Sequence, residues 1–182
     1  MYKDLEGDQL LNLIGKQRRK VDNREGMKTS KISKVLVAID GSRFSMEAAK
    51  YAVTLAKKYD AELIALTIIN TQPWFHASSL YGWASSETME KIHESDIHHA
   101  QTWLDQVKET AEKDGVRSQT KILLVPYTQS STAGAIVNYA EENHIDLIMI
   151  GTKGYSGIKK MLLGSVALAV VSYSHCPVLV VK

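Results

Sequence analysis

The chain has 182 residues, of which 45% are hydrophobic and 23% charged, and this composition is typical of a globular domain that buries its own core. Its one cysteine, Cys176, excludes an intramolecular disulfide and any zinc site built from several cysteines. A formal net charge of +2 does not indicate a nucleic-acid partner.

The first 31 residues are predicted to form a basic, flexible extension that precedes a folded domain at 32–182. Residues 1–34 hold nine Lys or Arg and five Asp or Glu, and only a short amphipathic helix around Gln9–Arg19 is indicated there. A solvated tail and a contact with a partner both remain open as its role. The run "LLNLI" is too short for the apolar centre of a secretion signal, and "MLLGSVALAVV" is too short to span a bilayer. We therefore expect a cytoplasmic protein that is not embedded in a membrane.

Hydrophobic runs then alternate with segments of helical periodicity along the rest of the chain. The predicted strands are 34–39 (KVLVAI), 61–69 (AELIALTII), 120–125 (TKILLV), 146–150 (DLIMI) and 177–181 (PVLVV). The predicted helices are 42–59, 86–113, 131–144 and 164–174, with Ser42 or Ser45 available to cap the first. The segment 70–85 is aromatic-rich and irregular. This order predicts an α/β fold, in which an open five-stranded parallel sheet carries helices on both faces. The strands are almost uniformly apolar, which indicates burial on both sides of the sheet.

The segment "GTKGYSGIKKMLLGSV" (151–166) leaves the carboxyl end of the fourth predicted strand, and "DGS" (40–42) leaves that of the first. Ligands of open parallel sheets bind outside these ends, where the strand order reverses. Glycine backbone can approach a ligand closely, and "GS" opens a helix whose first N–H groups are unpaired. Ser165 adds a hydroxyl donor, while Lys153, Lys159 and Lys160 can neutralise phosphate charge. These features predict a phosphorylated nucleotide as the ligand.

The spacing of these residues is G-x2-G-x9-G-S, carried by Gly151, Gly154, Gly164 and Ser165. It matches neither G-x-x-x-x-G-K-[ST] nor a G-x-G-x-x-G after the first strand. The spacing, together with "VLVAIDGS", "DLIMIGTKGYSG", "LLGSVA" and "HCPVLVV", resembles the ATP-binding members of the universal stress protein family. The resemblance covers residues 32–182 and leaves the N-terminal extension outside it.

The resemblance implies a Rossmann-like sheet in the order 3-2-1-4-5 and ATP as the ligand, accompanied by Mg²⁺. It also implies a homodimer formed through the last strand, from Pro177 to Val181. Carried onto this sequence, the family pattern places Ala38 and Asp40 beside the adenosine and Ile68 against the base. Gly151 and Gly154 would line the path of the ribose and phosphates, and Gly164, Ser165 and Val166 would hold the phosphates.

The predicted function is an ATP-binding regulatory module, a nucleotide-dependent switch in a stress response. Two alternatives remain open: a slow ATPase or nucleotidyl-transfer enzyme that uses the same site, and an interaction scaffold that never holds nucleotide. No general base is evident beside the glycine segment, which argues against an efficient enzyme.

Other residues with chemical potential have simpler interpretations. His93, His98 and His99 lack the spacing of three or four that paired helical metal ligands need, so no metal site is predicted. Cys176 is expected to be a packing residue, because the adjacent His175 points elsewhere. The aromatic residues Trp74, Phe75, Tyr81 and Trp83 would pack over the sheet edge, form a lid or contact a partner.

Overall fold

A sheet of five parallel strands with helices on both faces forms the body of the protein. The computed structural model describes residues 31–71, 86–126, 130–154 and 163–182, and only the backbone of 86–93. Ile32–Lys182 form one compact unit. The helix around Gln9–Arg19 and the irregular segment from 72 to 85 lie outside the described residues. The role and flexibility of the N-terminal extension, and the division of the chain at residue 31, stay predictions.

The strands are β1 (Lys34–Ala38), β2 (Glu62–Asn70), β3 (Ser118–Val125), β4 (Leu147–Gly151) and β5 (Val178–Val181). The helices are α1 (Arg43–Tyr59), α2 (Ser86–Lys113), α3 (Thr132–Glu142) and α4 (Ser165–Tyr173). Each corresponds to a predicted element, with ends that differ by at most two residues.

The strand order is β3-β2-β1-β4-β5 with every neighbouring pair parallel, so the predicted fold class and strand order are confirmed. The chain runs outward from β1 through β2 to β3 and then crosses to the other side of β1, where it forms β4 and β5. The register pairs Val35 with Leu147 and Val37 with Met149, so β1 and β4 end side by side. The point where the order reverses therefore lies at the carboxyl ends of these two strands.

Two apolar clusters hold the helices to the sheet, one on each face. Side chains alternate along β1, so that Val35 and Val37 pack under α1 and α2 whereas Leu36 packs under α3 and α4. The central strands β1 and β4 are buried along most of their length, as predicted. The prediction is wrong for the sheet edges, because Leu124 of β3 is 49% exposed and Leu179 of β5 is 38% exposed. Each edge strand has a partner strand on one side only.

Capping contacts explain where several elements begin and end. Ser42 caps α1 by accepting a hydrogen bond from the Ser45 amide, and Gly115 ends the α2 segment with a φ of +71°. At the amino ends of β1 and β4, Asp146 accepts hydrogen bonds from the amides of Ser33 and Lys34 and from the Ser33 hydroxyl. Burial alone would raise the pKa of Asp146, but these hydrogen bonds and the Lys34 charge outweigh it and lower the pKa.

Candidate functional site

The turn after β1 carries Asp40, at the point where the strand order reverses. The Asp40 carboxylate accepts a hydrogen bond from the Ser42 amide at 3.0 Å, and the Asp40 amide donates to the Ser45 hydroxyl at 3.3 Å. Gly41 adopts a φ of +75°, which favours glycine, and the ring of Trp103 lies directly against it. A side chain at position 41 would collide with that ring, so the turn is fixed both by its own hydrogen bonds and by α2.

The segment after β4 contacts this turn closely. The Ser42 hydroxyl donates to the carbonyl of Lys153 at 3.3 Å, which joins the two loops. A Cβ on Gly154 would lie 2.7 Å from an Asp40 carboxylate oxygen, and a Cβ on Gly151 would lie 2.7 Å from the Phe44 carbonyl carbon. A side chain at 151 would therefore collide with backbone, whereas one at 154 would displace the Asp40 carboxylate. Gly151 is the last residue of β4 rather than part of the loop after it.

The helix α4 begins at the same crevice. Its N-cap residue, Gly164, has no side chain to accept a hydrogen bond from the first turn, and its own amide donates to the Thr152 carbonyl at 2.7 Å. The first intrahelical bond runs from the Leu168 amide to the Gly164 carbonyl, which leaves the amides of residues 165–167 without helical acceptors. These donors and the positive end of the helix dipole suit an anion.

Thr152 connects this crevice to the last strand of the sheet. Its amide donates to the carbonyl of Val181 at 2.7 Å, and its carbonyl accepts from Gly164. The residue is 9% exposed, and its hydroxyl oxygen is buried with no hydrogen-bond partner in the part of the chain that the structure describes. A buried polar atom without a partner is rare in folded proteins, so a ligand that supplies the missing contact is one physical explanation.

A cavity of about 340 Å³ opens between these loops and the helices α3 and α4. All eight residues that the sequence indicated line it: Ala38, Asp40, Ile68, Gly151, Gly154, Gly164, Ser165 and Val166. They come from distant parts of the chain and the fold brings them together. Their contact with a ligand stays a prediction.

The cavity has two chemically different ends. Around Asp40, the Gly151–Gly154 loop and Ser165, the lining consists of backbone and small polar groups. Around Leu66 and Ile68 of β2 and Ile136 of α3, the lining is aliphatic. A ligand with a polar, anionic part and a flat apolar part matches this division.

Several lining residues were not among those predicted, namely Ile39, Ser45, Leu66, Thr132, Ile136, Ile150, Thr152, Lys153 and Ala167. Lys153 was considered only as a charge. Thr132 and Ile136 lie four residues apart at the start of α3, so one helical face carries both to the cavity. Thr152 lies within the quoted "GTKG" segment, but only its burial distinguishes it.

The remaining sequence features have mixed outcomes. Lys159, Lys160 and the four aromatic residues at 74–83 lie outside the described residues. Cys176 is half-buried and packs against the apolar cluster under α3 and α4, which agrees with the packing interpretation. Among the described side chains, no three His, Cys, Asp or Glu residues are grouped so that they could hold a metal ion. None of the helices in the described ranges is long and apolar enough to cross a membrane.

Comparisons with known proteins agree with this fold. A sequence model of the universal stress protein family matches residues 31–182. The universal stress protein MJ0531 of Methanocaldococcus jannaschii is 39% identical over 149 residues, which are 82% of this chain and 81% of that protein. The structure of the universal stress protein UspA from Lactobacillus plantarum matches with a TM-score of 0.71 at 21% identity, over 84% of this chain and 99% of that one. A crystal structure of a universal stress protein in complex with cAMP matches with a TM-score of 0.57 at 25% identity, over 84% of this chain and 98% of that one.

Proposed function

The chain belongs to the universal stress protein family, and on that premise we propose that it is a regulatory module that binds ATP in the cavity between β1 and β4. One observation carries the proposal: residues from β1, β2, β4 and α4 meet in one cavity that is polar at one end and aliphatic at the other. A relative of known structure holds cAMP, which is also an adenine nucleotide.

The phosphates of the ligand would lie at the polar end. The uncapped amides of Ser165 and Val166 supply donors, and the hydroxyl of Ser165 adds another. Lys153, which also lines this end, supplies positive charge. The hydroxyl of Thr152 would find its missing partner in a ligand oxygen.

The base would lie at the aliphatic end, against Ile68 and Ala38. Asp40, at the polar end, would accept a hydrogen bond from a ribose hydroxyl. Asp40 is also the one carboxylate among the described residues of the lining. Magnesium is commonly held by one or two carboxylates together with substrate phosphates, so a Mg²⁺ ion would reach this site as part of Mg–ATP.

The regulatory part of the proposal uses the contacts of Thr152. Its amide donates to the Val181 carbonyl in β5, and its carbonyl accepts from the amide of Gly164, the N-cap of α4. A ligand that fixes the Gly151–Gly154 loop would therefore also act on the last strand. We propose that the protein is a cytoplasmic homodimer that pairs through Pro177 to Val181, the exposed edge of the sheet. ATP would shift the equilibrium between monomer and dimer only by the difference between its affinities for these two states.

Identification of small molecules that co-purify with the protein tests the function. The chain is purified without added nucleotide and denatured, and the released compounds are separated by chromatography and identified by mass. We expect ATP or its hydrolysis product, and we expect added ATP to raise the melting temperature. If no nucleotide is released and ATP does not change the melting temperature, the scaffold interpretation replaces this one.

Turnover separates a binding module from an enzyme. We expect purified protein to hydrolyse ATP far more slowly than the ~1–1,000 per second of ordinary enzymes. A rate inside that range would instead show that the cavity is an active site.

A further inference from the structure

A tryptophan of α2 contacts the turn that carries Asp40 from outside the cavity. Helix α2 buries one stripe of side chains in the apolar cluster that it shares with α1, namely Ala100, Leu104, Val107 and Ala111. Trp103 lies at the flank of this stripe, where it is half-buried and packs against the same cluster. It does not line the cavity, so any effect on a ligand there must pass through the turn.

The contact between Trp103 and the turn is close because Gly41 has no side chain. Gly41 adopts a φ of +75°, and a Cβ built on it would collide with the Cε2 and Cζ2 atoms of the Trp103 ring. The indole therefore fills the space that any other residue at position 41 would need. His99, one helical turn before Trp103, stacks on the indole with 6.3 Å between ring centroids and 22° between ring planes. The indole is thus fixed on α2 and packs against the turn.

Gly41 is the point at which this turn could most easily change conformation, since glycine adopts positive and negative φ about equally. Asp40, directly before it, is exposed and lines the cavity. The hydrogen bond from the Ser42 amide to the Asp40 carboxylate spans Gly41, so a rotation of Gly41 would break it. A ring that fills the space beside Gly41 restricts such rotations, and it thereby fixes the direction of the Asp40 carboxylate.

Building on the proposed nucleotide-binding function, we infer that Trp103 is a positioning residue for ATP, which holds the Gly41 turn and so aims the Asp40 carboxylate at the ribose. Without the ring, ATP would have to order the turn as it binds, and ordering backbone costs free energy. The contribution of Trp103 to affinity should therefore depend on whether the ligand offers the hydroxyls from which Asp40 accepts. A general contribution to stability would show no such dependence.

The experiment compares ATP with 2′,3′-dideoxy-ATP, which lacks both ribose hydroxyls. Dissociation constants of the full-length chain are measured by calorimetry at one salt and Mg²⁺ concentration, below the melting temperature of each variant. We expect the unchanged protein to bind ATP about 10- to 100-fold more tightly, because the dideoxy nucleotide cannot donate to the carboxylate. In Trp103→Leu, ATP should bind about 5- to 30-fold more weakly, while the affinity for the dideoxy nucleotide should stay within about twofold.

Val107→Ala provides a matched control on the same helix. Val107 lies one turn after Trp103, is 3% exposed in the same apolar cluster and is outside the cavity lining. This variant should lower the melting temperature, because it removes buried methyl groups, and it should leave the preference for ATP over the dideoxy nucleotide unchanged.

Trp103→Phe keeps the test decisive if Trp103→Leu does not fold. Phenylalanine retains a flat ring on the same helix position, so this variant should lose less ATP affinity than the leucine variant. Its preference for ATP should still be at least about twofold smaller than that of the unchanged protein. An unchanged preference in Trp103→Phe, where the leucine variant does not fold, would overturn the inference.

The remaining outcomes distinguish the inference from the function on which it rests. Equal losses for both nucleotides in Trp103→Leu, or no loss for either, would overturn the inference and leave nucleotide binding standing. Equal affinities of the unchanged protein for the two nucleotides would also overturn it, because Asp40 would then not contact the ribose. If the unchanged protein binds neither nucleotide, the proposed function itself is wrong.

Discussion

Replacing Thr152 by valine should stabilise the protein without ligand and weaken its binding of ATP. Thr152 is 9% exposed, and its hydroxyl has no hydrogen-bond partner among the residues that the structure describes. A buried unpaired hydroxyl costs about 1–3 kcal/mol, and valine has nearly the same shape without the polar atom. One kcal/mol shifts the melting temperature of a domain of this size by about 2–4 °C. We therefore expect the melting temperature without ligand to rise by about 2–12 °C.

The same change removes a donor from the polar end of the cavity. A hydrogen bond to a charged group contributes about 1.5–3 kcal/mol, so ATP should bind about 10- to 100-fold more weakly. Ligand stabilisation depends on the ratio of ATP concentration to the dissociation constant, and it will be smaller in the variant. The melting temperatures of the variant and the unchanged protein should therefore converge as ATP is added.

Differential scanning fluorimetry over a series of ATP concentrations, with calorimetry for the dissociation constants, measures both effects. Thr67→Val removes another buried hydroxyl that has no partner within the described ranges but lies outside the cavity lining, so it should raise the melting temperature and leave ATP affinity unchanged. The reasoning is refuted if Thr152→Val lowers the melting temperature without ligand, or if its affinity for ATP equals that of the unchanged protein.

Three further changes test other parts of the structure. Gly151→Ala should lower the free energy of unfolding by about 1–3 kcal/mol, because its Cβ would lie 2.7 Å from the backbone carbonyl carbon of Phe44. Denaturant titrations measure this loss, and an unchanged unfolding midpoint would contradict it. Asp146→Asn should cost about 1 kcal/mol at neutral pH. Since folding lowers the pKa of Asp146, that difference should be full above the ordinary carboxyl pKa of about 3.9 and disappear as the pH falls below it, and a pH-independent difference would contradict the assignment. Leu179→Lys, on the exposed edge strand, should convert a dimer to monomers in sedimentation experiments without changing ATP affinity; a dimer that persists would place the interface elsewhere.

The fold was predictable because local patterns and the overall topology agree. Apolar runs, helical periodicity and the Ser42 cap each indicate the element that the structure contains. What the runs could not reveal is which strands lie at the sheet edges, since Leu124 is as hydrophobic as the residues of β1 and yet half-exposed. Exposure at an edge depends on neighbours that are distant in sequence.

The glycines that the spacing singled out line one cavity, and the structure gives two of them a different physical reason. The sequence suggested backbone that approaches a phosphate. In the structure, Gly151 makes room for the start of α1 and Gly154 for the Asp40 carboxylate. A glycine spacing indicates where a side chain is excluded, but it does not indicate which group excludes it. Substitution of Gly151 therefore perturbs backbone, and substitution of Gly154 moves the Asp40 carboxylate, before any ligand arrives. Loss of ATP binding in such variants would not by itself locate the phosphates.

The part of the cavity lined by α3 was the least predictable, because its residues carry no motif. Thr132 follows a serine cap as any first helical residue does. Only the packing of α3 against β2, which is distant in sequence, brings Thr132 and Ile136 into the lining beside Leu66 and Ile68. In the proposed function, the glycine spacing concerns the phosphate end, which every nucleoside triphosphate shares. The spacing would then not distinguish one base from another, and any selection between bases would have to come from residues outside it.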